Sequence, residues 1–340
     1  MNNEERILFI KKAPPIKIIG VIGDEGKTTT AYMIYELLKD SYPFTDVSVD
    51  NPSVFLFSEE KNCNLLLKKI KREDIIIIEF EESNIKEFDE LGINIDVIVC
   101  VSISDKAHRK EQLHIQDKTL FLKRQTSNNF LVIGEDNFSC IKKSIKFGIK
   151  SKVIFKGAED LPREWNFSFK GYHNRENMAL ALGVAEIFKV SEEMTKNAIE
   201  KIIPLSDRLQ YIKTINGVEI YNDAFSKTPM ATLTALRTLS QNKNIILIMG
   251  GNDNGFDIRF LLSHVNQYCS GVVLIAGIGT SAVHKDILSI VGITHEYAHD
   301  IGEAVKRGMD MTREGDVLLF SPAFGCKSES NRSEEFLKYV

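Results

Sequence analysis

Residues 20–30 read GVIGDEGKTTT, a glycine-rich turn that follows an apolar run ending at Ile22. A helical pattern begins beyond the turn, at about Tyr32. A strand, a glycine turn and a helix start in this order can bind phosphate. The glycines let backbone N–H groups surround phosphate oxygens, and the helix N-terminus adds partial positive charge. Lys27 is placed to neutralise the outer phosphates, and Thr28 to put its hydroxyl on a magnesium ion.

The spacing of this turn departs from the standard P-loop. Counting back from Lys27, Val21 occupies the position of the first glycine, Gly20 lies one residue earlier, and Gly23 lies inside the loop. An ordinary glycine turn before a helix is therefore the alternative interpretation. The run GKTTT between a strand and a helix favours a site for ATP or GTP.

The composition limits the classes of protein that need to be considered. At 340 residues, the chain is long enough for two domains with separate cores. A net charge of −4 gives no reason to expect nucleic acid or an anionic membrane as a partner. The five cysteines form no C-x-x-C pair, and no apolar run reaches transmembrane length. We therefore expect a cytoplasmic enzyme that acts on small molecules.

Apolar runs at 74–80 and 95–103 are typical of strands buried on both faces of a parallel sheet. With a further strand at 130–133 and helical stretches between, they predict a doubly wound α/β sheet. Glu79 and Asp105 follow the carboxyl ends of two of these strands, where such sheets bind ligands. We expect both to lie near the P-loop, with a solvated strand-end carboxylate as the alternative for Glu79.

The rest of the chain predicts a second α/β region. Residues 153–156 and 165–169 are expected to form a short antiparallel addition to the first sheet. From residue 206 the pattern of strands and helices begins again, with a hairpin turn at Asn216-Gly217 and a helix cap at Thr228. We predict a P-loop domain with a mostly parallel sheet over residues 1–205. A smaller, Rossmann-like α/β domain over residues 206–340 is expected to follow it.

Several stretches together resemble the Mur ligases, ATP-dependent enzymes that add an amino acid to a carboxylate in peptidoglycan synthesis. Residues 23–29 (GDEGKTT) are similar to the family's TGTNGKTT-like loop, and residues 171–177 (GYHNREN) to its G-x-H-N-x-x-N motif. Residues 207–210 (DRLQ) match its arginine motif. Asn222-Asp223 and residues 229–236 (PMATLTAL) resemble a run in the D-glutamate-adding members. Matches in this order continue to about residue 336.

The resemblance implies a reaction in which ATP phosphorylates a carboxylate and an amine attacks the acyl phosphate. Such chemistry needs charge neutralisation more than a covalent nucleophile. The resemblance implies that Lys27 and Arg208 hold the γ-phosphoryl group, that Thr28 and Glu79 ligate Mg²⁺, and that Asn177 contacts adenine. The other residues that it places at the nucleotide are Gly23, Asp24, Glu25, Gly26, Thr29, Asn174 and Asp223.

Two further residues complete the implied catalytic set. Lys118 lies where the family carries a carbamylated lysine that supports the metal, although a plain surface lysine is the alternative. Asp223, like Arg208, belongs to the second domain. The resemblance therefore implies that the site forms when the domains close.

Some residues depart from the family pattern. Only 22 residues precede Gly23, too few for the family's UDP-sugar-binding domain. Lys106 stands where a histidine is expected, and Asp24-Glu25 replace Thr-Asn in the loop. Asn254 replaces the lysine that holds the incoming amino acid's carboxylate, and the stretch 321–332 is shorter than in the family. The nucleotide site is expected to be kept while both substrate sites are altered.

We therefore expect an ATP- and Mg²⁺-dependent ligase that joins a small carboxylate to an amino acid, most like the D-glutamate-adding members. In one version a separate chain supplies the acceptor-binding domain. In another, the acceptor carboxylate carries no UDP. The altered P-loop and the missing histidine favour a third alternative, a non-catalytic ATP-binding module derived from a ligase.

Overall fold

The computed structural model describes residues 17–42, 55–56, 75–80, 85, 94–103, 119–253, 255–282, 293–326 and 329–340. The chain divides into two compact units, Met1–Ile202 and Ile203–Val340. Among the described residues, each unit contains one six-stranded sheet flanked by helices. No helix in this part of the chain combines the length and apolar character that crossing a membrane requires.

The sheet of the first unit is parallel throughout, with strand order β2-β3-β1-β4-β5-β6. Its strands are β1 (Lys17–Ile22), β2 (Phe55–Leu56), β3 (Ile75–Glu79), β4 (Val97–Cys100), β5 (Phe130–Ile133) and β6 (Lys152–Phe155). The glycine-rich turn leaves the central strand β1, whose neighbours are β3 and β4. This arrangement confirms the prediction of a doubly wound parallel sheet.

Helices cover the sheet because its strands are apolar on both faces. Ile19 and Val21 pack in one buried cluster, Ile18 and Ile22 in another, so alternate residues of β1 serve two cores. The helices of this unit are α1 (Lys27–Leu38), α2 (Glu135–Ser144), α3 (Tyr172–Ile187) and α4 (Glu192–Lys201), with short 3₁₀ turns at Leu120–Lys123 and Ala158–Asp160.

The predicted antiparallel addition is wrong. Residues 152–155 pair with β5 in parallel, and 165–169 form no strand. The aromatic side chains of the latter stretch instead join the core: Trp165 and Phe169 are buried in the cluster that contains Ile19. The alternation of apolar and polar residues over 165–169 comes from a loop packed on the core. Periodicity alone does not distinguish such a loop from a strand.

The second unit has the order β11-β10-β9-β12-β8-β7, with only the β7–β8 pair antiparallel among its described strands. The strands are β7 (Gln210–Ile215), β8 (Val218–Asn222), β9 (Ile245–Gly250), β10 (Cys269–Ile275), β11 (Thr294–Ala298) and β12 (Val317–Phe320). The helices are α5 (Pro229–Leu239), α6 (Arg259–Tyr268), α7 (Ile278–Ala282), α8 (Ile301–Met311) and α9 (Glu329–Tyr339). β8 and β12 are neighbours, so the loops after them lie at the same edge of the sheet.

Local signals in this unit correspond to the structure. The β7–β8 hairpin turns at Asn216 and Gly217, both with positive φ, as a type I′ turn requires. Thr228 caps α5, because its Oγ1 accepts a hydrogen bond from Ala231 N at 3.1 Å. The predicted hairpin and helix cap are therefore confirmed.

Candidate functional site

The glycine loop joins β1 to α1 and packs against the segment that follows β4. Gly23 has φ 141° and Gly26 has φ 84°, a backbone region that favours glycine. A Cβ at Gly23 would lie 2.8 Å from Ser102 O. The close approach of two backbone segments explains why this position excludes a side chain.

Ser102 also binds the two acidic residues of the loop through their backbone. Asp24 N donates to Ser102 O at 2.8 Å, and Glu25 N donates to Ser102 Oγ at 2.9 Å. These amides therefore fix the loop to the segment just after β4. The remaining N–H groups for a phosphate come from the start of α1, where helix geometry leaves the leading amides without acceptors within the helix. Nucleotide contacts by Asp24 and Glu25 stay a prediction. Ser102, which holds the loop, was not predicted from the sequence.

Lys27 is the first residue of α1, and its side chain turns back into the loop. Its Nζ donates to Gly23 O and Asp24 O, both at 3.3 Å, and the residue is buried. These contacts are long for hydrogen bonds to an ammonium group. They place the positive charge inside the loop, where a phosphate oxygen is a stronger acceptor than a carbonyl.

Thr28 and Glu79 meet at the carboxyl end of the sheet. Thr28 Oγ1 donates to Glu79 Oε1 at 3.0 Å, and Glu79 is only 4% exposed. Their proximity follows from strand register, because Glu79, the last residue of β3, pairs with Val21 of β1. Hydroxyl and carboxylate oxygens suit Mg²⁺, which commonly takes one or two carboxylates together with substrate phosphates. The pair therefore fits the predicted magnesium site.

The start of α3 lies against the other side of the loop. A Cβ at Gly26 would lie 2.8 Å from Asn177 Oδ1. Asn177 Nδ2 donates to Asn174 Oδ1 at 3.4 Å, and Asn174 Nδ2 donates to Lys170 O at 2.7 Å. Both asparagines are buried, so they support the loop from behind. A contact of Asn177 with adenine stays a prediction.

His173 precedes these asparagines in the same turn of α3. Burial lowers the pKa of His173 to about 4. The imidazole is therefore neutral at pH 7 and adds no positive charge near the glycine loop.

In the second unit, Arg208 lies in a tight turn before β7. Its neighbours Asp207 and Leu209 have φ 63° and 50°, positive values that non-glycine residues rarely adopt. The guanidinium lies over the ring of Phe225, with 5.2 Å between Cζ and the ring centroid. Leu209 N donates to Asp223 Oδ1 at 3.0 Å, which links the turn to the end of β8.

Asp223 is buried in a hydroxyl-rich network of the second unit. Its Oδ2 accepts hydrogen bonds from Ser226 Oγ at 2.5 Å and Ser321 Oγ at 2.8 Å. Burial raises the pKa of Asp223 to about 6, although these bonds and the one from Leu209 N oppose the rise. Both carboxylate oxygens thus accept bonds from groups in their own unit. The predicted contact between Asp223 and nucleotide stays a prediction.

Several predicted residues cannot be placed in this geometry. Lys118, Asp105, Lys106 and Asn254 lie outside the described residues. Within them, no cluster of three or more His, Cys, Asp or Glu side chains could hold a metal ion. Thr29 is buried at the start of α1, next to Thr28. In the first unit, the structure brings together Gly23, Gly26, Lys27, Thr28, Glu79 and Asn177.

Family models match both units. One described as the Mur ligase middle domain matches residues 21–188, and one described as the Mur ligase glutamate ligase domain matches residues 207–324. The chain is 28% identical over 332 residues to a UDP-N-acetylmuramoylalanine–D-glutamate ligase of Clostridium botulinum, covering 90% of this chain and 69% of that protein. It is 26% identical over 347 residues to the protein of the same name from Bacillus subtilis, covering 94% of this chain and 72% of that protein.

Solved structures share the fold at lower identity. MurF ligase from Thermotoga maritima, solved with ADP, has a TM-score of 0.74 at 18% identity, with 99% of this chain and 82% of that chain covered. Folylpolyglutamate synthase of Mycobacterium tuberculosis, also solved with ADP, has a TM-score of 0.72 at 14% identity, with 100% and 95% covered. With its glycine loop, its arginine turn and matches across both units, the chain belongs to the Mur ligase family.

Proposed function

We propose that this chain is an ATP-dependent ligase that forms an amide bond between a carboxylate and an amino acid through an acyl phosphate. The most specific form of the proposal is the activity named for its relatives, the addition of D-glutamate to UDP-N-acetylmuramoylalanine. The observation that supports it most directly is the Thr28–Glu79 hydrogen bond at 3.0 Å, beside the buried Lys27 ammonium. These groups suit a metal–triphosphate ligand at the end of a parallel sheet.

The two steps make separate demands on the protein. In the first, an acceptor carboxylate oxygen attacks the γ-phosphorus, and the bond from that phosphorus to ADP breaks. In the second, the amine nitrogen attacks the acyl carbon, the C–N bond forms, phosphate leaves and the amine releases a proton. The protein's task in both is to neutralise and orient groups that carry negative charge.

Four side chains have proposed roles in neutralising and orienting these negative groups. Lys27 would exchange its long bonds to the loop carbonyls for shorter ones to the outer phosphates. Thr28 and Glu79 would hold Mg²⁺, which screens the phosphate charge when bound. Arg208 is proposed to bind the transferring phosphoryl group, for which a planar guanidinium offers paired donors. Lys118 as a carbamylated metal support and Asn254 as a weak selector of D-glutamate stay predictions.

The test is acceptor-dependent ADP release, with hydroxylamine added to trap the acyl phosphate as a hydroxamate. The purified protein would receive UDP-N-acetylmuramoyl-L-alanine, D-glutamate and Mg-ATP, and parallel reactions would replace the acceptor with carboxylates that carry no UDP. We expect ADP and hydroxamate to appear together and only with an acceptor. Release of ADP at the same rate without any acceptor would contradict the proposal. ATP binding with no turnover on any acceptor would favour a non-catalytic module.

Lys27→Ala is the matched variant for the same assay. Loss of its charge should lower turnover by at least about 100-fold, the usual effect of removing one donor that stabilises developing charge. Lys39→Ala is the control, because Lys39 follows the other end of α1 and pairs with Glu36 at 2.6 Å. Equal turnover in the Lys27 and Lys39 variants would refute the assignment of the phosphate site.

A further inference from the structure

The turn that carries Arg208 holds an unfavourable backbone conformation without glycine. Asp207 and Leu209 both have positive φ, which a side chain disfavours. Such residues persist where the surrounding structure over-determines them, and they cluster at functional sites. The contacts that hold this turn therefore bear on how Arg208 is presented.

One side of the turn is held by a closed triangle of polar side chains. Asp207 Oδ1 accepts hydrogen bonds from Asn222 Nδ2 at 2.8 Å and from Ser333 Oγ. Asn222 Nδ2 also donates to Ser333 Oγ at 2.9 Å. Asp207 Oδ1 thus accepts from both side chains, while the Ser333 hydroxyl accepts from the amide and donates to the carboxylate. Asn222 is 0% exposed and Ser333 is 2% exposed, so water has little access to the two donor side chains.

The other side of the turn is held by Asp223, which accepts from Leu209 N at 3.0 Å. Asn222 and Asp223 are consecutive, at and just after the end of β8. The residues on both sides of Arg208 are therefore held by the consecutive pair Asn222 and Asp223. This restricts the direction in which the Arg208 side chain leaves the backbone.

Ser333 comes from α9, far along the chain, and its neighbour Arg332 extends the same connection. Arg332 donates to Phe324 O at 2.9 Å and to Ala224 O. These carbonyls belong to the loops after β12 and β8, at the carboxyl ends of parallel strands where ligands bind. Helix α9 thus connects the Arg208 turn to two loops at the edge of the sheet.

We infer that Asn222 and Ser333 are positioning residues for Arg208, acting through the carboxylate of Asp207. They keep the turn in one conformation, so the Arg208 guanidinium is already ordered when the reaction begins. A fixed donor stabilises developing charge better than a mobile one. The inference rests on the proposed part of Arg208 in binding the transferring phosphoryl group.

Amide hydrogen exchange tests whether the triangle holds the turn, whatever the activity. Ser333→Ala removes one donor to Asp207, and Asp207→Ala, at a half-buried position, removes the acceptor for both bonds. Both variants should exchange the Leu209 N–H at least about tenfold faster than wild type, because its bond to Asp223 opens more often. Ser263→Ala, at an exposed hydroxyl on α6, is the control. Unchanged exchange at Leu209 in both variants would overturn the inference.

A kinetic cycle then tests whether the effect passes through Arg208. Ser333→Ala should lower kcat about tenfold while KM for ATP changes less than about twofold, since under the proposed function most phosphate contacts would come from the first unit. In an Arg208→Ala background the same change should have no further effect. An equal loss in both backgrounds would indicate a general structural role and would overturn the inference. A wild-type protein without turnover would contradict the proposed function only. The exchange measurement would then decide whether Asn222 and Ser333 hold the turn.

Discussion

The two units each present a cation from a turn with positive φ, and they stabilise that turn by different means. The loop before Lys27 uses Gly23 and Gly26, which adopt the conformation without a side-chain penalty. The turn around Arg208 uses Asp207 and Leu209, which do not. The first turn depends on the absence of a side chain, and the second on buried hydrogen bonds to side chains. A glycine loop can therefore be read from local sequence, whereas a side-chain-held turn depends on distant residues.

The largest effect is expected when a side chain is placed in the glycine loop. In Gly23→Ala, the new Cβ would lie 2.8 Å from Ser102 O and 2.9 Å from Ser102 N, so one of two backbone segments must move. We expect turnover to fall by at least about 100-fold, because a displacement of about 1 Å in a catalytic loop has effects of this size. The measurement is acceptor-dependent ADP release, with calorimetry for ATP affinity.

Gly148→Ala is the control for this substitution. A Cβ at Gly148 would have no neighbour within 4 Å. Its free energy of unfolding should stay within about 0.5 kcal/mol of wild type. If Gly23→Ala binds ATP as tightly as Gly148→Ala, the close approach of Gly23 to Ser102 is not needed for nucleotide binding.

A second prediction concerns the buried carboxylate beside the Arg208 turn. Burial raises the pKa of Asp223 to about 6, above its ordinary 3.8, so between these values the folded protein binds the proton more tightly than the unfolded chain does. The stabilisation by this group is fully present below about pH 4 and is lost as pH rises through about 6. For Asp223 alone, the free energy of unfolding should fall by about 1 kcal/mol between pH 5 and pH 7.

Urea unfolding at pH 5 and pH 7 would measure this difference. In Asp223→Asn, the free energy of unfolding should no longer fall by this amount between pH 5 and pH 7. Asp310→Asn, at an exposed carboxylate, is the control. A slope unchanged by Asp223→Asn would show that the carboxylate is charged throughout this range. The turn would then be held by an ionised group.

The smallest effect is expected at a positive φ that no buried side chain stabilises. Lys189 has φ 56° just after α3, is exposed, and donates its N–H to Glu186 O at 3.0 Å, as in a helix C-cap. Lys189→Gly should raise the free energy of unfolding by about 0.5 kcal/mol, because glycine adopts this conformation more easily. Asp207→Gly should lower it, because two hydrogen bonds are lost.

Thermal or urea unfolding of both glycine variants would measure these opposite changes in the free energy of unfolding. Stabilisation by both substitutions would mean that Asp207 contributes strain to the turn and no net support. Destabilisation by both would mean that Lys189 has a role in packing that its exposure does not suggest.

The same contrast explains how much could be predicted from the sequence. The strands at 75–79, 97–100 and 130–133 were predicted because each is a continuous apolar run. The Thr28–Glu79 contact followed from the rule that parallel strands end at one edge. Strand β11, with sequence THEYA, was missed because it lies at the edge of the sheet and has no apolar run.

Supporting residues of the candidate site were harder to predict. Ser102 acts through its hydroxyl and its backbone carbonyl, and Ser333 through its hydroxyl; a serine has no periodic or local signal. Their partners are 77 and 126 residues away, so only the folded chain brings them together. The resemblance to a family identified Arg208 and Asp223 but did not reveal that Asp223 faces its own unit.

The bond between Asp207 and Ser333 also has a consequence for the order of events during synthesis. The ribosome adds roughly 5–20 residues per second, so the 126 residues between the two partners take roughly 6–25 s to make. The described strands and helices of the first unit all precede Asp207, so they can fold during that interval. The nascent chain would then carry the glycine loop, the proposed nucleotide site, before the Arg208 turn is fixed. A newly made chain should therefore be able to bind nucleotide some seconds before it can use it.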